Sequence, residues 1–594
     1  MKNKKKPNIL VLMVDQERYP SVYETSELEK WRKENLVTQN LLRKNGMEFS
    51  NHYAGSTACS PSRATIYTGQ YPSLHGVTQT TGVAKGPFDP DVFWLDPNTV
   101  PTIGDYFRTA GYQTYWKGKW HASDEDILIP GTHHAFPSYD PDTGVPNKEK
   151  EKIYQKADRL NAFGFSGWIG PEPHGSSPRN SGSSAAIGTS GRDQVYASET
   201  VKLIQSLEEQ SNKDDTPWFM MCSFVNPHDI ALYGVLTALS PAFNFEVDPT
   251  LPPIPPAPTA RESLSTKPGA QESYRIIYPQ ALQPILDEPF YRQLYYSLQK
   301  QADQEMNKVF HALKNSTFYE DTIVLFTSDH GELLGAHGGL HQKWYNMYEE
   351  SIHVPLIIHS PKLFSHYEET HMLTSHVDIL PTLLGLAGIE AEKIQEKLSK
   401  SHTEVQPLVG RDLTPLIQGN DQFFRANEPL YFMSDDDITK GLNQTTASGR
   451  PYESVVQPNH IEAIITQLKT GKDHKEENWK FARYYDNPQF WSNPGCSDSE
   501  IKKGKPIDVT NHTQCSTCLN TTKTVPIPSQ YELYNLTTDP LEEINYADPT
   551  NATPETTIIQ ELLIGTLDQQ CNQKRLKPSS GEVPGMPSCN CQEG

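Results

Sequence analysis

The strongest constraint on this chain is a recurrence. Short apolar runs end on a polar side chain, and helical patterns separate them. NILVLMV stops at Asp15. Residues 101–120 read as helix, turn and strand and run out at Lys119. WFMMCSFV passes through Asn226-Pro227 into His228. TIVLFTS stops at Asp329. VPLIIHSP is a further short strand. Segments 192–211, 287–313 and HVDILPTLLGLAG read as helices, the last closed by glycine. Apolar strands alternating with helices predict an α/β fold with a large, mixed, mostly parallel sheet sandwiched by helices. Such sheets place their chemistry outside the carboxyl ends of the strands. Asp15, Lys119, His228 and Asp329 are therefore expected along one edge.

A chain of 594 residues is too long for a single core. Composition changes near residue 415, so we expect a catalytic domain at 1–415 and a smaller α+β domain at 416–594. The second should hold an antiparallel sheet, because 460–485 reads as a hairpin. Segments 123–155, 166–191, 232–286 and 486–528 are rich in Pro, Gly, Ser and acids and read as long loops. Loops of that length commonly shape a pocket mouth. The net charge of -21 argues against nucleic acid or an anionic membrane as partner. Local positive charge for a small anion is still compatible with it. The opening MKNKKKPNILVLMVDQE has a short apolar run and no small-residue cleavage site, so it reads as a buried strand rather than a signal peptide. The expectation is a cytoplasmic protein, or a periplasmic or secreted one if the start is processed. Six of eight cysteines crowd the end: Cys496, Cys515, Cys518, Cys571, Cys589 and Cys591. Disulfides, a structural zinc at Cys515-x-x-Cys518, or free thiols would each fit.

The chemistry-bearing residues sit at the predicted strand ends and in one short run. Asp15 is a hard metal ligand or a loop aspartate; Gln16 beside it could ligate through its carbonyl oxygen or only hydrogen-bond nearby. Asp329 and His330 repeat the pattern, with Gly331 allowing a sharp turn. Together they read as a mononuclear divalent site. Oxygen ligands favour calcium or magnesium, and an imidazole shifts the balance toward manganese or zinc. In Cys59-Ser60-Pro61-Ser62-Arg63 a small nucleophile precedes a helix start. Cys59 could attack as a thiolate or after modification, or be a small buried hydrophobe. Arg63 offers a rigid fork for an oxyanion. In KGKWH, Lys119 and His121 are two apart, so strand alternation would put both on one face, unless these are lysines protecting an edge strand. His228 is a candidate proton donor to a leaving oxygen. Lys343, in GAHGGLHQKW, is a candidate second anion clamp. His75, His337, His341 and His353 take structural or rim roles.

This set resembles the formylglycine-dependent (type I) sulfatases of the alkaline phosphatase superfamily. The signature C-x-P-S-R is Cys59, Pro61, Ser62 and Arg63, continuing to Thr68-Gly69. PNILVLMVDQ, GYQTYWKGKWH, NPHD, TIVLFTSDHGELLGAHG and YELYNLTTDPLEEIN extend the likeness in order from 7 to 550. The resemblance implies that a formylglycine-generating enzyme oxidises Cys59 during maturation. The formylglycine hydrate would then attack sulfur, form a covalent sulfate ester and expel inorganic sulfate. Asp15, Asp329, His330 and residue 59 would hold one divalent ion, with Ca2+ expected and Mn2+ or Mg2+ as alternatives. Many relatives carry aspartate at the position of Gln16, which leaves its ligand role open. Arg63 would hold the formylglycine, Lys119 and Lys343 the sulfate oxygens. His121 would regenerate the aldehyde and His228 assist the leaving group. The Asp15-Gln16 with Asp329-His330 pattern is similar to choline sulfatases and phosphonate monoester hydrolases. The substrate is expected to be a small or saccharide sulfate ester, with no nucleic-acid or membrane partner and scope for a homo-oligomer. A phosphonate monoester or phosphodiester hydrolase is the alternative activity, and a non-catalytic binding protein the third reading.

Overall fold

The computed structural model describes residues 6–579, apart from 90, 174–176, 187, 189–190, 212–214, 286–287, 420–427, 488–489 and 491–524. Nine strands precede residue 376: β1 (Asn8–Asp15), β2 (Gly46–Phe49), β3 (His52–Tyr53), β4 (Gln113–Gly118), β5 (Trp218–Pro227), β6 (Thr322–Ser328), β7 (Leu356–His359), β8 (Glu368–Thr370) and β9 (Thr374–Ser375). Seven of them form one sheet in the order β4-β5-β1-β6-β7-β2-β8, and β3 pairs separately with β9. β4, β5, β1 and β6 are mutually parallel; β7 is antiparallel to β6 and β2.

β1 shows why this sheet sits between two helical layers. Every residue of it is buried. Its side chains alternate between faces. Ile9, Val11 and Met13 join a core with Ile66, Tyr67, Phe107 and Leu380, which come from the helices Cys59–Thr68, Ile103–Thr109 and Ile379–Leu386. Leu10, Leu12 and Val14 join another with Ile204, Met306 and Phe310, from Arg192–Gln210 and Glu288–Lys314. A strand apolar on both faces is stable only when both are covered. The architecture is the alkaline-phosphatase-like α/β sandwich.

A second, antiparallel sheet follows in the order β10 (Leu430–Ser434), β11 (His460–Leu468), β12 (Glu477–Tyr485) and β13 (Gln530–Asn535). The helix Pro554–Lys574 covers it through Ile559, Leu563 and Leu567, packed with Met433, Ile464 and Phe481.

Two segments expected as loops contain helices. Lys148–Ala157 is capped by Asn147, whose side chain accepts from two first-turn amides. Gly269–Ala281 buries Ala270, Tyr274, Ile277 and Tyr278 along one face. Prolines and serines around these stretches dominate their composition and mask a helical period carried by four apolar residues. Cys496, Cys515, Cys518, Cys589 and Cys591 lie outside the described residues, as does most of 486–528. Among the described residues Cys571 forms no disulfide, and no helix is long and apolar enough to cross a membrane.

Candidate active site

The four adjacent parallel strands end at one edge. Asp15 closes β1, Lys119 and His228 follow β4 and β5, and Asp329 follows β6. The helix Cys59–Thr68 begins at this edge; Pro61 occupies its first turn, and Gly69 ends it with φ 64, a left-handed conformation that suits glycine. Cys59 is its first residue and is 1% exposed.

Ligand-type atoms of Asp15, Cys59, Asp329 and His330 all lie within 4.8 Å of one another. His330 Nδ1 faces the Gly331 carbonyl at 3.0 Å and donates to it. That bond fixes the tautomer and leaves the Nε2 lone pair aimed into the cluster. Burial lowers the imidazole's pKa and so favours the neutral ring. Its Nε2 is 3.1 Å from Cys59 Sγ and 3.6 Å from an oxygen of each aspartate. The donor set suits one divalent cation: two carboxylates, a neutral imidazole nitrogen and residue 59.

Arg63 ties the set together. Its Nε donates to Asp329 Oδ2 at 2.8 Å and one terminal nitrogen to Asp15 Oδ2 at 3.0 Å. The other donates to the Lys119 carbonyl and Ser223 Oγ, both at 3.0 Å. Lys119 Nζ donates to Asp15 Oδ2 at 2.6 Å. Burial alone would raise the Asp15 pKa, but the cations Lys119 and Arg63 outweigh it and hold the carboxyl well below the ordinary range. Two carboxylates thus meet two fixed cations. A divalent ion and Lys343 would leave surplus positive charge for an anionic ester, inside a chain of net charge -21. Burial, reinforced by Asp15, pushes the Cys59 thiol up to about 12, so a thiolate would be scarce at neutral pH.

Gln16 adopts φ 74, and both ends of its amide have partners. Nε2 donates to Glu332 Oε2 and, at 2.9 Å, to Gln342 Oε1; Oε1 accepts from Lys343 Nζ at 2.7 Å. Lys343 is buried beside the cluster. His228 is half-buried at the edge of the site. Burial and Lys119 lower its pKa well below the ordinary value. His121 Nε2 lies 3.1 Å from Thr81 Oγ1. β4 ends at Gly118, and His121 has φ 56, so strand alternation does not extend to it. Lys117 points away from the cluster, toward the Gly167 carbonyl and Glu199.

The remaining histidines are packed into the fold. His75 and Thr65 share a hydrogen bond, His353 stacks on Tyr19 and Tyr53, His341 packs on Tyr278 and Tyr291, and His337 bridges Glu262 and Glu350.

Several groups around the site escape sequence reasoning. Ser223 is one polar residue in an apolar strand. Glu332 and Gln342 hold Gln16, and Glu332, three residues past Asp329, was the one open to detection. Asp436 comes from the second sheet and had no local signal.

An α/β sandwich with a nucleophile-bearing helix start, a buried cation-type donor set and an arginine fork at the carboxyl ends of its strands defines a hydrolase of anionic esters. The sulfatase family model matches residues 7–389, and the chain belongs to that family. It is a sulfuric ester hydrolase, and Asp15, Cys59, Asp329 and His330 form its site. It is 28% identical over 395 residues to the uncharacterized sulfatase YidJ of Escherichia coli, covering 66% of this chain and 69% of that protein. It is 26% identical over 436 residues to a choline-sulfatase of Rhizobium meliloti, covering 70% and 72%. Among solved structures, BT4656 in complex with D-glucosamine-2-N,6-O-disulfate superposes with a TM-score of 0.57 at 18% identity, covering 97% of this chain and all of that one.

Proposed function

We propose that this chain hydrolyses a sulfate monoester of a saccharide or another small alcohol, with Cys59 converted to formylglycine by a formylglycine-generating enzyme. The convergence of Asp15, Cys59, Asp329 and His330 within one 4.8 Å cluster carries this reading. The high thiol pKa supports modification over direct thiolate attack. Once formed, the formylglycine hydrate supplies one hydroxyl to attack sulfur as the S–O bond to the alcohol breaks, and a second whose proton is removed so that its oxygen forms the aldehyde C=O while the C–O bond to the sulfated oxygen breaks and sulfate leaves. A divalent ion, Ca2+ in our reading, would be held by Asp15, Asp329, His330, residue 59 and Gln16 Oε1, and when bound it polarises the ester oxygens.

The protein's own side chains do the rest. Arg63 fixes both aspartates, so the ligand oxygens need no reorganisation during turnover. Lys119 and Lys343 grip the sulfate oxygens. Burial and Lys119 keep His228 neutral; an anionic ester beside it raises its proton affinity, so that it takes a proton from solvent and passes it to the leaving oxygen. His121 takes a proton when the aldehyde is restored. The division at 415/416 would place the seven-stranded sheet in the catalytic part and the four-stranded sheet in the smaller one.

The test is the mass of the peptide bearing residue 59 in protein matured with its oxidising enzyme. Conversion to formylglycine lowers it by about 18 Da. An intact thiol in fully active protein would overturn the proposal. Free-sulfate release from a panel with choline sulfate and glucosamine sulfates separates the substrate classes.

A further inference from the structure

The Thr57–Ala58 peptide unit, one residue ahead of Cys59, is gripped from outside the catalytic sheet. Ser434, the last residue of β10, donates from Oγ to the Thr57 carbonyl at 2.8 Å. Asp436 Oδ2, two residues further on, accepts from the Ala58 N–H at 3.2 Å. The same oxygen accepts from the Trp344 indole Nε1 at 3.0 Å, and Asp436 Oδ1 accepts from the Thr80 N–H at 3.0 Å. All of these groups are buried.

Each partner leads to the site. Ala58 precedes Cys59. Trp344 follows Lys343, whose Nζ stands 4.7 Å from the centroid of the indole ring. Thr80 precedes Thr81, which faces His121. A carboxylate on the indole N–H enriches the ring in electrons and so strengthens its hold on the ammonium above it. The loop carrying Lys343 also needs holding. Gln342 and Tyr345 have φ 67 and 61, left-handed conformations that side chains bearing a Cβ adopt only when their surroundings impose them. Glu332 secures one end by accepting from the Gln342 N–H at 2.9 Å. Asp437 secures the other by accepting from the Tyr345 hydroxyl at 2.5 Å.

We propose that Asp436, supplied by the second sheet, is a positioning residue that sets residue 59 and Lys343 in register. It touches neither substrate nor the reacting atoms. One carboxylate fixes the backbone that aims the nucleophile and the ring that aims the anion clamp. The proposal rests on the roles given above to residue 59 and Lys343.

The experiment uses full-length, matured enzyme and the variants D436N, W344F, the double variant and K343A. In D436N the side-chain amide cannot accept from all three donors, because its nitrogen faces either the Thr80 N–H or both the Ala58 and Trp344 N–H groups. We expect kcat per formylglycine-bearing site to fall about 100-fold, the scale for a misplaced reacting group. Inhibition by inorganic sulfate should weaken in parallel, while conversion of residue 59 stays at the wild-type level. W344F keeps an aromatic ring, though a smaller one, and removes the N–H. It should lose less, and the double variant should be no worse than D436N, because both act through one hydrogen bond. A purely structural role would lower the active fraction and leave sulfate inhibition unchanged, which would overturn the proposal; so would additive losses in the double variant. K343A separates the two levels of the argument. Full activity in K343A refutes the role of Lys343, whereas an inactive K343A beside an unimpaired D436N refutes the clamp alone.

Discussion

Replacing Arg63 by methionine is the most direct test of how this site is balanced. Asp15 and Asp329 are both 0% exposed. In the native site each meets the guanidinium, at 3.0 and 2.8 Å. R63M leaves Asp15 with Lys119, 2.6 Å away. Among the polar contacts described, Asp329 then keeps only the backbone N–H groups of Gln16 and His330, at 3.0 and 2.9 Å. Removing one partner of a buried ion pair typically costs about 3–5 kcal/mol, because the stranded charge has lost both water and its counter-ion. The Ser223 hydroxyl and Lys119 carbonyl also lose a donor. R63K keeps the charge but not the fork and should lose less. The assay is the midpoint of the first unfolding transition, in chelator and with a saturating divalent ion. In chelator, R63M should unfold at markedly lower temperature or denaturant than the wild type. With the ion, the gap should narrow, because bound positive charge replaces part of what the guanidinium supplied. An unchanged midpoint in chelator, or a deficit the ion does not touch, would refute the charge balance described here.

Two further outcomes follow from the same geometry. K119M removes the 2.6 Å partner of Asp15 and the clamp proposed for the sulfate oxygens; turnover of a sulfate ester should fall about 100-fold or more, read as kcat/KM. His337 provides a pH test away from the metal ligands. Burial favours its neutral form, but Glu350 and Glu262 raise its pKa from an ordinary 6.5 to about 9. A folded-state value above the unfolded one stabilises fully below about pH 6.5, and the contribution is lost as pH rises through about 9. The rise is worth at most about 3 kcal/mol, counted once for His337 and its carboxylates. H337Q should therefore be less stable than the wild type at pH 6, and the difference should shrink by pH 10. A constant difference across that range would show that packing against Tyr348, not charge, is what His337 contributes.

Much of the fold was legible because its cause is local. β1 is apolar at successive positions, and such a strand must be covered on both sides. The long helix Glu288–Lys314 announced itself through a 3.6-residue period, and the β11–β12 hairpin through two apolar runs around a polar turn. Gly269–Ala281 was missed because proline-rich neighbours outweighed its apolar face. At the site, Asp15, Lys119, His228 and Asp329 were readable as strand ends, and Cys59 to Arg63 as one motif. The engagement of Gln16 was not, since its amide is held by Glu332, Gln342 and Lys343, more than 300 residues away.

The amino-acid sequence by itself determined the layered α/β plan, the edge at which chemistry collects and the motif that begins the nucleophile helix. These depend on side-chain periods and short spacings that act within a few turns of chain. Only the tertiary structure decided which way the Gln16 amide faces, that His121 leaves the strand pattern, and that Asp436 grips the Ala58 N–H from 378 residues away. Such choices depend on which hydrogen-bond partners packing delivers to one buried place, and a buried polar group accepts whichever partner the assembled fold puts within reach.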